Sequence, residues 1–199
     1  MNDAADVEVP LISVVCPVFN EDQVIDTFID RVSSILEAAG LDYEIVCVND
    51  GSTDQTLELL LDRRAADSRI KVVDLSRNFG KEAALTAALE HARGRTVVPI
   101  DADLQDPAEL IPALLEKWRE GHEIVLAKRR DRAQDSWWKR SLASAFYRIN
   151  NVLSETPLPD NVGDFRLLDR IVVDAILRLP ERRRFMKGIF AWIGFRTCV

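Results

Sequence analysis

The feature that most constrains the fold is a regular alternation of short apolar runs with segments of helical periodicity over residues 11–128. The run Leu11–Phe19 is typical of a buried strand, and Glu21–Ala39 then repeats apolar residues at helical spacing until Gly40. Further strands are predicted at 44–49, 70–75, 96–100 and 123–128, with helices at 57–66, 81–93 and 107–120. This alternation predicts an α/β fold, Rossmann-like, with a mostly parallel sheet and helices on both faces.

The alternation stops after Lys128. A charged loop at 129–135 is followed by predicted helices at 137–153 and 170–179 and by a candidate strand at 165–168. The length of 199 residues suits a single domain. We therefore divide the chain into a tail of residues 1–10, a folded domain of residues 11–180 and a basic, aromatic-rich amphipathic extension of residues 181–199.

The formal net charge of −7 conceals an asymmetry along the chain. Residues 1–128 hold 12 basic and 25 acidic side chains, a balance of −13, whereas residues 129–199 hold 14 basic and 8 acidic side chains, a balance of +6. The acidic body argues against a nucleic acid as the partner. The basic end predicts an anionic partner for that part of the chain.

Cysteine usage and apolar run lengths limit the cellular setting. The three cysteines form no metal-ligand spacing, which favours a reducing compartment. The first ten residues lack the features of a signal peptide, and no run reaches the roughly 18 apolar residues of a membrane-spanning helix. The expectation from these features is a soluble or peripheral chain.

Polar clusters follow four of the predicted strands, at residues 17–21, 49–54, 76–81 and 101–106. In open α/β sheets, ligands bind outside the carboxyl ends of the strands. The four clusters therefore predict one shared crevice.

Asp101 and Asp103 alternate in the cluster that follows the fourth strand, and Gln105 comes two residues later. Carboxylate and amide oxygens suit Mg²⁺ or Mn²⁺, which proteins typically hold by one or two carboxylates together with substrate phosphates. The alternative interpretation of this short motif is a solvated turn. Its position after a buried strand, beside the other clusters, favours the metal site.

The cluster after the second strand admits two roles. Asp50 can accept hydrogen bonds from a ribose hydroxyl or a base N–H, whereas Ser52 or Thr53 can cap the following helix. Lys81, directly after Gly80, can meet a phosphate or begin a solvated helix face. Neither the dinucleotide-binding fingerprint nor the phosphate-binding loop of nucleoside triphosphatases is present.

Arg182, Arg183 and Arg184 form a basic run beside an aromatic-rich segment. This pattern suits a membrane surface or an anionic lipid headgroup. The competing interpretation is that Phe190 and Trp192 pack on the domain. The residues themselves leave both open.

Six stretches together resemble family 2 glycosyltransferases of the GT-A fold, and within them the polyprenyl-phosphate sugar transferases such as bactoprenol glucosyltransferases and dolichol-phosphate mannosyltransferases. They are PVFNE at 17–21, VNDGSTD at 48–54, SRNFGKEAAL at 76–85, PIDADLQDP at 99–107, GDFRLLDR at 163–170 and ERRRFMKGIFAWIGF at 181–195. The resemblance covers nearly the whole chain from Leu11 onward.

The resemblance implies roles for particular residues. The nucleotide-sugar set is Pro17, Phe19, Glu21, Asp50, Lys81, Asp101, Ala102 and Asp103. The metal set, for Mg²⁺ or Mn²⁺, is Asp101, Asp103 and Gln105. The acceptor and phosphate set is Arg129, Arg130 and Arg184, and the catalytic set is Asp164, Asp103 and Arg184.

The function that the resemblance implies is an inverting transfer of a sugar, expected to be glucose from UDP-glucose, to undecaprenyl or dolichyl phosphate at the cytoplasmic face of the cell membrane. Two alternatives remain open, a family 2 transferase with a hydroxyl acceptor and a non-catalytic nucleotide-sugar-binding domain. Many such proteins continue into transmembrane helices, so we expect a truncated catalytic domain or a peripheral one. The exposed aromatic residues expected at the end of the chain also favour a homo-oligomer.

Overall fold

The computed structural model describes residues 9–128, 162–181 and 184–199. In chain order its strands are β1 Ile12–Val18, β2 Tyr43–Asn49, β3 Ile70–Asp74, β4 Thr96–Pro99, β5 Ile124–Lys128, β6 Val162–Asp169 and β7 Thr197–Cys198. Its helices are α1 Ile25–Ala38, α2 Thr56–Ala66, α3 Lys81–His91, α4 Ile111–Arg119, α5 Arg170–Leu177 and α6 Met186–Trp192, with a 3-10 helix at Ala108–Leu110. The predicted alternation over residues 11–128 is confirmed.

The strands form one sheet in the order β3-β2-β1-β4-β6-β5-β7. Strand β1 is parallel to both β2 and β4, β2 is parallel to β3, and β5 is parallel to β7. Strand β6 is antiparallel to both of its neighbours, β4 and β5. The mostly parallel sheet is therefore confirmed. The chain places β2 and β4 on opposite sides of β1, so the direction of strand addition reverses there. Such a reversal opens a crevice at the carboxyl ends of the two central strands.

Both faces of the sheet are covered by helices, as predicted. One core packs α1, α2 and α4 against one face, and the other packs α3, α5 and α6 against the opposite face. Alternate residues of β1 enter different cores, for example Val14 the first and Val15 the second. Burial on both faces explains why β1 reads as a continuous apolar run.

Some residues of the C-terminal extension pack on the domain, whereas others are exposed as a membrane contact would require. Met186 and Phe190 are buried in the second core, whereas Phe185 and Trp192 are 52% and 61% exposed. The backbone N–H of Met186 donates to a carboxylate oxygen of Glu82 on α3, at 3.1 Å. One face of α6 is therefore part of the folded domain. A membrane-proximal role for the extension stays a prediction.

None of the helices within the described ranges is both long enough and apolar enough to cross a membrane.

Candidate active site

A cleft of about 290 Å³ opens at the carboxyl ends of β1 and β4, at the reversal of the sheet. It is lined by Pro17, Val18, Phe19, Glu21, Asp50, Asn78, Gly80, Lys81, Asp101, Ala102 and Asp103. Every residue of the predicted nucleotide-sugar set is in this lining. Parallel strands bring these clusters together because their carboxyl ends meet at one edge of the sheet.

The loops that follow β1 and β2 are joined by hydrogen bonds. The backbone N–H of Thr53 donates to Oδ1 of Asn20 at 2.8 Å, and the backbone N–H of Asn20 donates to Oγ of Ser52 at 3.0 Å. The backbone N–H of Glu21 donates to Oγ1 of Thr56 at 2.8 Å. Sequence reasoning missed both Asn20 and Thr56. The available signal was an Asn, which tolerates a left-handed backbone, in the turn between a strand and a helix.

The prediction that Ser52 or Thr53 caps α2 is wrong. The N-cap of α2 is Gln55, which makes no side-chain capping bond. One residue earlier, the carboxylate of Asp54 accepts the backbone N–H of Thr56 at 3.0 Å and that of Asp22 at 3.3 Å. Burial acts to raise the pKa of Asp54, but the hydrogen bonds from Thr56 and Asp22 outweigh it and hold that pKa below its ordinary value. Ser52 and Thr53 precede the N-cap position, and both bond to Asn20.

Asp50 is 3% exposed, and its two carboxylate oxygens hold the loop that follows β3. Oδ1 accepts the backbone N–H of Phe79 at 2.7 Å, and Oδ2 accepts that of Gly80 at 2.9 Å. The neighbouring Gly51 has φ 69°, and a Cβ there would lie 2.4 Å from the carbonyl carbon of Arg77. Asp50 thus builds the wall of the cleft in addition to lining it.

The side of the cleft formed by the end of β4 carries exposed negative charge. Nζ of Lys81 lies 2.6 Å from Oδ2 of Asp101, and Oδ1 of Asp103 accepts the backbone N–H of Gln105 at 3.0 Å. Burial raises the pKa of Glu21, and the charges of Asp103, Asp54 and Asp101 raise it further. The part of this shift that comes from neighbouring charge shows that three carboxylates lie close enough to act on Glu21.

Within residues 9–128, 162–181 and 184–199, no group of three or more His, Cys, Asp or Glu residues is arranged to hold a metal ion. A cation at the end of β4 would therefore need ligands from another source besides these carboxylates. Gln105 is exposed and does not line the cleft. Its predicted role as a metal ligand stays a prediction.

Arg184 lies away from the cleft lining, beyond the end of α5. Its guanidinium donates to the backbone oxygens of Glu181 at 3.1 Å, Leu179 at 3.0 Å and Leu177 at 3.5 Å. Its Nη1 is buried without a hydrogen-bond partner among the residues that the structure describes.

Asp164 belongs to β6, which lies beside β4, whereas Arg129 and Arg130 are outside the described residues. The catalytic and acceptor roles of these three residues and of Arg184 stay predictions.

The family model described as glycosyl transferase family 2 matches residues 13–177. The chain belongs to glycosyltransferase family 2. This family 2 chain is 48% identical over 188 residues to a bactoprenol glucosyl transferase of Shigella phage SfV, a match that covers 94% of this chain and 61% of the relative. The chain spans 58% and 61% of the length of the first two curated relatives it matches.

Two solved structures resemble the family 2 chain in fold. A mannosyltransferase of Pyrobaculum calidifontis in complex with GDP-Man and Mn²⁺ has a TM-score of 0.65 at 22% identity, covering 96% of this chain and 55% of the other. A glucosyl-3-phosphoglycerate synthase of Mycobacterium tuberculosis, in complex with Mn²⁺, UDP and phosphoglyceric acid, has a TM-score of 0.55 at 29% identity, covering 82% of this chain and 57% of the other. The fold predicted from the sequence, the GT-A fold, is confirmed.

Proposed function

We propose that this domain is the catalytic part of an enzyme that transfers glucose from UDP-glucose to a polyprenyl phosphate, undecaprenyl or dolichyl, at the cytoplasmic face of a membrane. The observation that carries the proposal is the convergence of Glu21, Asp50, Lys81, Asp101 and Asp103 in one cleft at the reversal of the sheet. The name of the phage relative, a bactoprenol glucosyl transferase, supports the choice of glucose and of a polyprenyl acceptor.

The two sides of the cleft suit the two ends of a nucleotide sugar. Pro17, Phe19 and Glu21, with the loop that Asp50 holds, offer apolar and carboxylate surface to a base and ribose. Lys81 lies at the other side, 2.6 Å from Asp101, where its ammonium group can exchange a carboxylate for a diphosphate oxygen. In this arrangement the sugar would lie near the carboxyl end of β4, on the side of the sheet where β6 begins.

The acidic side of the cleft also fits a divalent cation, Mg²⁺ or Mn²⁺. Asp101 and Asp103 supply two carboxylates, which is what such ions commonly take from a protein when substrate phosphates complete the shell. The charges of Asp103, Asp54 and Asp101 add to the effect of burial in raising the pKa of Glu21, and a cation would offset that charge. When bound, the ion stabilises the negative charge that develops on the departing UDP.

The proposed reaction is a single displacement at the anomeric carbon. A phosphate oxygen of the lipid forms the new bond, the bond to the UDP oxygen breaks, and the configuration inverts. A phosphate monoester has a second pKa near 6, so the acceptor is mostly ionised at neutral pH and needs little help from a base. We therefore assign Asp164 to orientation of the reactants or to weak base assistance, and not to obligatory proton abstraction. Arg129, Arg130 and Arg184 would attract the acceptor phosphate, a role that rests on the basic charge of the chain after residue 128.

The decisive experiment incubates membranes containing the full-length protein with radiolabelled UDP-glucose, undecaprenyl phosphate and Mg²⁺ or Mn²⁺. We expect label in the lipid phase, its loss in Asp103→Ala and its retention in Asp62→Ala, an exposed position on α2. No lipid-linked label with any common sugar nucleotide would refute the proposal.

Asp164→Asn distinguishes the acceptor classes. A hydroxyl acceptor needs a true base, so the variant would then be inactive, whereas a phosphate acceptor predicts slowed turnover.

Contact with a membrane surface is a separate part of the proposal. The exposed Phe185 and Trp192 lie on the same extension as the basic run 182–184. The chain should bind anionic liposomes at low salt and leave them at high salt because screening weakens charge attraction. Retention that does not change with salt would contradict a charge-based contact.

A further inference from the structure

Asn20 lies between two cleft residues but is not part of the cleft lining. We propose that Asn20 is a positioning residue, which holds the carboxylate of Glu21 in the cleft by fastening the loop after β1 to the loop after β2. The inference rests on the donor site proposed above and adds to it a residue that acts through Glu21.

The conformation and the bonds of Asn20 tie it to the neighbouring loop. Its backbone is left-handed, with φ 56°, a region that Asn tolerates better than most residues. Its Oδ1 accepts the backbone N–H of Thr53 at 2.8 Å, and its own N–H donates to Oγ of Ser52 at 3.0 Å. Side chain and backbone of Asn20 are thus both bonded to the loop after β2.

Glu21 directly follows Asn20 and has backbone bonds of its own, to α2 and to the beginning of α1. Its N–H donates to Oγ1 of Thr56 at 2.8 Å, and its carbonyl oxygen accepts the N–H groups of Val24 at 3.1 Å and Ile25 at 3.0 Å. The backbone of Glu21 is therefore fixed on one side by the beginning of α1 and on the other by Asn20 and the loop after β2.

The surroundings of Glu21 favour a movement toward water that the connection opposes. Burial raises the pKa of Glu21, and the charges of Asp103, Asp54 and Asp101 raise it further, so in the empty cleft its ionised carboxylate is favoured by turning outward to water. A loop that is fastened to its neighbour prevents this movement. If the connection is cut, the carboxylate spends less time in the cleft and the affinity for the nucleotide falls.

The test measures the Kd of UDP for the full-length chain by calorimetry with Mn²⁺ present. Asn20→Gly removes only the side chain because glycine adopts the left-handed backbone freely. Ser52→Ala removes the acceptor of the Asn20 N–H. Each should weaken UDP binding about five- to tenfold, the effect of one or two hydrogen bonds.

Thr86→Ala is the matched control. It also deletes a side-chain hydrogen bond, from Oγ1 of Thr86 to the carbonyl oxygen of Glu82 at 2.8 Å, but at a position outside the cleft lining. Its Kd for UDP should equal that of the unchanged protein.

The effect of Asn20→Gly in a Glu21→Ala background decides between a positioning role and a general loosening of the domain. If Asn20 acts through Glu21, the second substitution adds less than about twofold to the Kd. The full five- to tenfold loss in that background, or no loss in the single variants, overturns the inference. Ser52→Ala in the same background gives the same decision if Asn20→Gly does not fold.

The outcomes also separate this inference from the proposed function. A protein that binds no UDP at all refutes both. Normal UDP binding by the unchanged protein, with Asn20 and Glu21 acting independently, refutes only the positioning role.

Discussion

The two halves of the cleft hold their polar groups in different ways. The loops after β1, β2 and β3 form one half, which we call the bonded half. Its polar residues Asn20, Asp50 and Asp54 accept hydrogen bonds from backbone N–H groups of other loops or of α2. In the half formed by residues 101–106 after β4, the acidic half, Asp101 pairs with Lys81 and Asp103 with its own turn.

The bonded half therefore supplies the shape of the cleft, and the acidic half supplies its charge. Asp50 is 3% exposed, and both of its oxygens are used to build the loop after β3, whereas the side chain of Asp101 is 37% exposed. An ionised carboxylate has about four acceptor sites, so Asp103, which has one backbone partner, retains capacity for a ligand. The bonded half is formed before a ligand arrives, and the acidic half offers charge that a cation and a phosphate can meet.

The largest effect should come from Asp103→Ala in the acidic half. We expect kcat/KM to fall by a factor of about 10²–10³, the loss typical of one group that stabilises developing charge. The Tm should change by less than about 2 °C because Asp103 is exposed and, among the residues that the structure describes, holds only the N–H of Gln105. A large fall in Tm would show that Asp103 builds the cleft as Asp50 does.

The next largest effect should come from Gly51→Ala in the bonded half. The added Cβ would lie 2.4 Å from the carbonyl carbon of Arg77 and 2.6 Å from the nitrogen of Asn78, on a backbone with φ 69°. The free energy of unfolding should fall by about 3 kcal/mol in urea titrations.

Gly40→Ala is the control for Gly51→Ala. Its φ is 63°, yet an added Cβ meets nothing within 4 Å, so it isolates the cost of the left-handed backbone, about 1–2 kcal/mol. Equal losses in the two variants would mean that the loop after β3 moves aside at little cost.

A smaller loss is expected for Asp50→Asn. An Asn side chain has one acceptor oxygen, so either Phe79 or Gly80 loses its partner, at a cost of about 2 kcal/mol in the free energy of unfolding. UDP binding should weaken as well because Gly80 lines the cleft. Asp103→Asn, measured in parallel, should leave the free energy of unfolding unchanged. Equal losses in the free energy of unfolding for Asp50→Asn and Asp103→Asn would contradict the difference between the two halves.

The smallest effect concerns pH and the two carboxyl groups whose pKa values shift in opposite directions. The pKa of Glu21 is raised in the folded protein, so its negative charge destabilises the fold above that pKa. Glu21→Gln should therefore raise the Tm by about 1–2 °C at neutral pH in EDTA. The difference should shrink as the pH falls below the ordinary pKa of Glu, near 4.5.

Asp54→Asn should show the opposite sign. The lowered pKa of Asp54 contributes stability above its ordinary value of 3.8, and that stability is lost as the pH falls through the folded pKa. The variant should be less stable than the unchanged protein at neutral pH, and the two should converge in acid. A difference that does not depend on pH in either variant would contradict these assignments.

Much of the site could be predicted because its parts are local. Periodicity identified the strands over residues 11–128, and the polar clusters at their ends predicted the shared crevice. The resemblance to family 2 then singled out the nucleotide-sugar set, every residue of which lines the cleft. The bonds among these residues could not be predicted. Asn20 and Thr53 are 33 positions apart, and Asp50 and Gly80 are 30 positions apart, so nothing local marks them as partners.

The wrong prediction that Ser52 or Thr53 caps α2 has the same origin. Ser52, Thr53 and Asp54 are all suitable helix caps, and the sequence near them does not rank one above another. The outcome depends on where α2 begins, at Thr56, which leaves Gln55 at the N-cap, while Ser52 and Thr53 bond to Asn20 of the preceding loop.

The sequence by itself determined the elements and their periodicity, because burial on one or both faces dictates which residues are apolar. It also determined which residues follow the strands and therefore which chemistry collects at one edge of the sheet. Only the tertiary structure decided that β6 inserts antiparallel between β4 and β5, that α6 packs Met186 and Phe190 into the second core, and that Asp50 holds the loop after β3. These features depend on contacts between distant parts of the chain, whose free energy appears only when the whole sheet has formed.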